Sequence, residues 1–259
     1  MKQNGFTFVE LAMVMIVVGL LVGGAFGGVA LVQSAKNNST IQFMKSIEAT
    51  AINFRTVYGK LPGDLNTVDT LSNCTALPCT KAGNGDGIVQ GGGADGPWSV
   101  GYEAWGNMDS DNEEFVFWQH LLAAEMMTGY LATTSMNFGT INGGGQPLSP
   151  METGFRIGSV NAPAFGASKH VGYLTNAPST ANIWDGGPTT TVVPSSNMRA
   201  IDLKIDDGFV NKGVIGARTR NGTTTPCFLP NYRPSMAINE APVAYANGGL
   251  CNGYMVYNF

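Results

Sequence analysis

The sequence predicts an α+β chain: one long N-terminal helix, half membrane-spanning and half amphipathic, packed on a C-terminal antiparallel β-sheet head. Three observations predict it. Phe6 to Val32 is an apolar run with a single ionisable residue, Glu10. Beyond it, Ile41, Met44, Ile47, Ala51, Phe54 and Tyr58 recur at steps of three and four, with Lys45, Glu48, Asn53 and Arg55 between them, the spacing of one helical face. The remainder, 59–259, is rich in Gly, Thr, Val and aromatic residues and holds four cysteines.

The apolar run is about 27 residues, or about 40 Å as a helix, and exceeds the roughly 20 residues needed to cross a bilayer. A short polar leader, Met1 to Gly5, precedes it. A cut after Gly5 would therefore leave the anchor on the mature protein, whereas an ordinary secretory signal is removed with its apolar core. Lys2 is the only Lys or Arg before Lys36, so the excess of positive charge places the leader in the cytoplasm and the head outside. A carboxylate in lipid costs at least about 2.5 to 3.5 kcal/mol, which marks Glu10 as functional and in need of a partner.

Gly5-Phe6-Thr7-Phe8-Val9-Glu10-Leu11 resembles the type III signal sequence of type IV pilins and type II secretion pseudopilins. The resemblance implies a pilin-like fold, cleavage after Gly5 by a prepilin peptidase, and N-methylation of the new terminus at Phe6. It implies that Glu10 neutralises the amine of Phe6 on a neighbouring subunit, since opposite charges in lipid are each costly until they meet. The implied partners are other pilin or pseudopilin subunits, the peptidase and an inner-membrane assembly platform. The implied location is the inner membrane, as a single-pass protein, and then a periplasmic or cell-surface filament.

Gly19, Gly23, Gly24, Gly27 and Gly28 give small-xxx-small spacings on more than one face, which let helices approach closely in lipid. Each glycine also weakens a helix by about 1 kcal/mol relative to alanine, so local unwinding is expected between Gly19 and Gly28. No proline interrupts the chain between Val32 and Tyr58, so one helix of about 80 Å is expected from Phe6 to Tyr58. Gly59 and Pro62-Gly63 end it. The expected division is a leader at 1–5, the helix at 6–58 with 6–32 in the membrane, and the head at 59–259.

Only 12% of residues are charged, 35 are glycine, and the net charge is -4. Such a head is loop-rich, yet apolar enough to build a core. Cys74, Cys79, Cys227 and Cys251 in an exported domain argue for two disulfides. Of three possible pairings, Cys74 with Cys79 and Cys227 with Cys251 is expected. The second loop resembles the C-terminal disulfide loop of many pilins, which shapes the filament surface. Glu113 to Tyr130, with Trp118 and His120, predicts a short amphipathic helix that stops at Gly129, with His120 as a packed or capping residue. Phe155 to Val160, Thr190 to Val193 and Tyr254 to Phe259 predict strands. Met198 to Ile205 fits either a short helix or a strand.

Calcium is the one cofactor that the sequence suggests. Asn84 and Asp86, then Asp109, Asp111 and Glu113, supply alternating oxygen ligands in glycine-rich chain, although neither group completes a twelve-residue EF-hand loop. Asp206 and Asp207 form a third acidic pair. As a helix end they would need a cation or basic group to offset the dipole; as a strand end they would not.

The functions that fit are a subunit of a type IV pilus-like filament, minor or large, and a pseudopilin of a type II secretion system. A head of about 200 residues is large for a major pilin and favours a low-abundance subunit. A membrane-anchored enzyme or ligand-binding protein is disfavoured, because no GxSxG, HExxH, phosphate-binding loop or CxxC motif occurs. Arg199, Lys204, Lys212, Arg218, Arg220 and Arg233 enrich the late region in positive charge. Asp202, Asp206 and Asp207 interleave with them, and a pI near 5.1 argues against a nucleic-acid partner.

Overall fold

The computed structural model describes residues 7–71, 73–76, 78–89, 112–161, 168–176, 193–218, 227–228 and 242–259. Gly5, Phe6, Asp109, Asp111, Arg220 and Arg233, and 190–192 of the strand expected at Thr190 to Val193, lie outside them.

Helix α1 runs without interruption from Phe8 to Tyr58. It begins at a capping box, in which the Thr7 hydroxyl accepts from the Glu10 N–H and the Glu10 carboxylate accepts from the Thr7 N–H, satisfying two end groups reciprocally. It ends at Gly59, whose φ of 80° is the left-handed conformation that glycine adopts without strain. The expected unwinding between Gly19 and Gly28 does not occur. The i to i−4 ladder is kept throughout, and a glycine's cost is spread over a helix of 51 residues, where propagation needs no new nucleus.

The head covers only the second half of α1. Asn37, Thr40, Met44, Ile47, Ala51 and Phe54 are buried, at alternate steps of three and four that make one stripe. Ile41 and Tyr58, also expected on this face, pack at its margin. Tyr257 donates its hydroxyl to the Met44 carbonyl at 3.1 Å, and the Phe43 and Phe155 rings meet edge to face at 5.3 Å. Lys204 reaches Asn38 at 2.6 Å, and Lys36 pairs with Glu152 at 2.7 Å.

The sheet has strands β1 (Gly154–Asn161), β2 (Ser168–Thr175), β3 (Val193–Pro194), β4 (Ile215–Arg218) and β5 (Leu250–Tyr257). Its order is β1-β2-β5-β3, with β4 also on β5, and every strand pairing is antiparallel. Thus β5, near the end of the chain, holds the sheet together. The strands expected at Phe155 to Val160 and Tyr254 to Phe259 are β1 and β5; β2 and β4 were not anticipated.

Among the described residues two α-helices complete the head, α2 (Glu113–Ala123) and α3 (Ser195–Ile205). Helix α2 is shorter than the expected 113–130 segment and is not amphipathic. Every residue from Glu114 to Leu121 is buried, because α1 and the sheet enclose it on facing sides. Its one buried acid is paired, Arg156 lying 3.3 Å from Glu114 with its guanidinium over the Tyr173 ring, as a charge taken out of water requires. Met198 to Ile205 is helical, which settles the alternative left open by its sequence. Both expected disulfides are present, Cys74–Cys79 and Cys227–Cys251.

Candidate functional site: the N-terminal helix and the acidic loops

The exposed half of α1 is apolar and unpartnered among the described residues. Phe8, Leu20, Leu21, Phe26, Val29 and Leu31 are each at least 68% exposed. No part of its most apolar window is buried, and it is the one helix among the described residues long and apolar enough to cross a membrane. A Cβ built on Gly19, Gly23, Gly24, Gly27 or Gly28 would meet nothing within 4 Å. Among the described residues nothing therefore requires glycine at those five places. Glu10 stands at the start of this surface, and its Oε2 accepts from the Thr7 N–H at 2.8 Å and the Thr7 hydroxyl at 2.9 Å. The Thr7-x-x-Glu10 capping box was written in the sequence as T-x-x-E, and Thr7 is the residue that sequence reasoning overlooked.

The acidic groups are distributed as follows. The loop at Asn84 to Gly87 and the start of α2 are brought together, Glu113 Oε1 accepting from the Asn84 N–H at 2.8 Å. Asn84 Oδ1 accepts from the Asp86 N–H, and Asp86 Oδ1 from the Ile88 N–H. Asp206 and Asp207 lie elsewhere, at the end of α3. Asp206 accepts from the N–H groups of Val214 and Ile215, and Asp207 from that of Phe209. The placement against the helix dipole is realised, and main-chain N–H groups, with Lys204 in the last turn, offset it. Nearby Asp202 accepts from the Gly208 N–H and the Tyr245 hydroxyl. Burial pushes its carboxyl up to about 7, against those two hydrogen bonds. Among the described residues no three His, Cys, Asp or Glu side chains are gathered as a ready metal centre.

Both histidines are structural. His120 Nδ1 accepts from the Gly63 N–H at 3.0 Å, and its Nε2 lies 3.2 and 3.1 Å from the carbonyls of Cys79 and Lys81. The ring thus clamps the turn after α1 to the first disulfide loop. His170 Nε2 accepts from the Val89 N–H at 3.0 Å and its ring stacks on Phe259 at 4.8 Å. Burial lowers both imidazoles to about 4.

Residues 1–26 match the model of the prokaryotic N-terminal methylation motif, the signature of type IV pilins and pseudopilins. The match covers only the first 26 residues; with the apolar helix and the antiparallel sheet it supports a type IV pilin-like or pseudopilin protein in general. The motif and the exposed apolar helix together fit anchoring in a membrane. No curated protein and no solved structure matches the chain.

Proposed function

We propose that the protein is a minor or large structural subunit of a type IV pilus-like filament. It is inserted in the inner membrane with its N-terminus in the cytoplasm, cleaved after Gly5, methylated at Phe6, and assembled through α1. The observation that carries this reading is the methylation motif continuing into an apolar helix in which a Cβ built on any of five glycines would meet nothing within 4 Å among the described residues. In lipid, small residues serve close helix-to-helix approach, so their use falls to contacts between copies or with other subunits. Glu10 is then the charge that meets the amine of an incoming Phe6. The head, which covers α1 only from Asn37 onward, leaves the assembly surface open.

The test is to shear cells, separate released filaments from envelopes, and locate the protein by mass spectrometry and immunogold microscopy. Sparse or terminal label on sheared fibres is expected. Dense label along them would make it a major pilin, and retention in the envelope would move the assignment to a pseudopilin of a type II secretion system.

A further inference from the structure

The head meets α1 close to where the apolar run ends. Lys36 pairs with Glu152 at 2.7 Å, and Lys204 donates to Asn38 at 2.6 Å. Lys36 and Asn38 lie four and six residues beyond Val32, or about 6 and 9 Å along the helix axis. The polar layer of a bilayer adds about 5 to 8 Å on each side of an apolar core of about 30 Å. With α1 in a membrane, the base of the head therefore begins at the outer margin of the headgroups. The apolar run, about 40 Å long, also exceeds that core, and such a helix tilts to keep its apolar surface in lipid. Tilt lowers one side of the head onto the membrane surface.

The end of α3 supplies a side that fits. Lys204 belongs to its last turn, and around it stand three exposed apolar side chains, Leu203 at 51%, Phe209 at 37% and Val214 at 37%. The loop after α3 brings them together. Gly208 has φ +79°, and a Cβ there would collide with the Leu203 side chain, so glycine lets Phe209 follow close behind Leu203. Asp206 accepts from the N–H groups of Val214 and Ile215, which folds the loop back and sets Val214 beside the helix end. Asp207 accepts from the Phe209 N–H at 2.9 Å. Both acids thus serve the main chain, while Leu203, Lys204, Phe209 and Val214 are exposed. The Lys204 ammonium has three donors, so it can hold Asn38 and meet a phosphate as well. Apolar side chains beside a lysine, whose stem lies along them while its charge stays in water, suit a membrane surface.

We propose that Leu203, Lys204, Phe209 and Val214 dock the base of the head on the phospholipid headgroups of the membrane that α1 spans. The inference rests on reading α1 as a membrane span. Leu203 and Phe209 enter the interface, the Lys204 ammonium meets lipid phosphate, and α1 tilts in the direction that buries them. This is the contact of the unassembled subunit, and entry into a filament breaks it by carrying the head away from the bilayer. The lipid surface is the occupant because α1 holds the patch within reach of it in every copy, with no encounter required.

The test uses the full-length protein in vesicles of phosphatidylcholine and phosphatidylglycerol, with or without bromine on the acyl chains as a quencher of tryptophan. Leu203→Trp reports on the patch. Val57→Trp is the control, at a position 59% exposed and about 38 Å beyond Val32 along α1. Wild type, with its own tryptophans, sets the background. With bromine, Leu203→Trp should lose about half of the emission it adds to wild type, as a side chain about 5 to 10 Å into the interface would. Val57→Trp should lose none, and adding Phe209→Asp to Leu203→Trp should abolish the loss. Flotation of the vesicles after an alkaline wash reports on the anchor separately. Unquenched Leu203→Trp in protein that floats would overturn the docking and leave the anchor standing, whereas protein that washes off would overturn both. Quenching that Phe209→Asp leaves unchanged would also overturn it. Emission of Leu203→Trp that shifts with protein density but not with bromine would assign the patch to a second copy of the chain instead.

Discussion

His120 and His170 show how single residues decide the head's response to acid. Burial holds both imidazoles at about 4 in the folded head, against the 6.5 of the free side chain. The unfolded chain therefore takes up these protons first. Stability is fully present above about pH 6.5, is lost as pH falls toward about 4, and changes little from this source below that. The gap corresponds to about 3 kcal/mol per histidine. A thermal melt series of the Asp202→Asn variant from pH 7.5 to 4, which removes the opposing titration of that carboxyl, should show a falling Tm, and a Tm flat across that window would show that the rings are not held neutral. Asp202 acts with the opposite sign. Its carboxyl, raised to about 7 mainly by burial, destabilises the fold when ionised and is relieved as pH drops through 7. Asp202→Asn keeps an acceptor for Gly208 and a partner for Tyr245, so it should raise Tm at pH 8 and show a smaller gain at pH 5. An equal change at both values would mean that the charge on Asp202 is not the cause.

At the scale of elements, the two disulfides close loops of different length, with sequence separations of 5 and 24. On the chain-entropy account they contribute about 2 and about 3 to 4 kcal/mol. The second also ties Cys251 on the central strand β5 to Cys227, and both are fully buried. Replacing Cys227 and Cys251 by alanine should therefore lower the urea midpoint more than replacing Cys74 and Cys79; the reverse order would place the weak point of the head at the first loop. The elements differ in how openly the sequence declared them. Helix α1 was plain, because an uninterrupted apolar run leads into a stripe from Met44 to Phe54 and a glycine stop. Strand β2 was hidden, because Ser168, Lys169 and Gly172 look like loop residues. Gly172 is in fact what packing demands, since a Cβ there would run into the Phe155 and Tyr257 rings. Helix α2 was legible in position but not in burial, since its enclosure and the Arg156–Glu114 pair depend on chain 42 residues away. Buried Asp64 was missed for the same reason. Its hydrogen-bond partner Gly87 lies 23 residues on, and no local pattern announces a contact made across the fold.

At the scale of the whole molecule, the head buries one half of α1 and leaves an apolar half bare among the described residues, the half that the proposed function assigns to lipid and to other subunits. Glu10 stands where that bare half begins, and its carboxylate has two possible uses. Within the chain it completes the capping box with Thr7; in a filament it would neutralise a neighbouring Phe6 amine. Substitution separates them. Glu10→Gln keeps the cap, because glutamine serves at this position as glutamate does, and it removes only the charge. Glu10→Leu removes both, and loss of a cap alone costs about 1 kcal/mol, a small part of the energy that holds an apolar span of this length in a bilayer. If charge pairing drives assembly, both variants should insert in the membrane at wild-type levels and both should be depleted from sheared filaments to a similar extent. If the cap is what matters, Glu10→Gln should assemble normally while Glu10→Leu fails. Quantifying each variant in membrane and filament fractions distinguishes the two, and normal incorporation of both would remove Glu10 from the assembly mechanism.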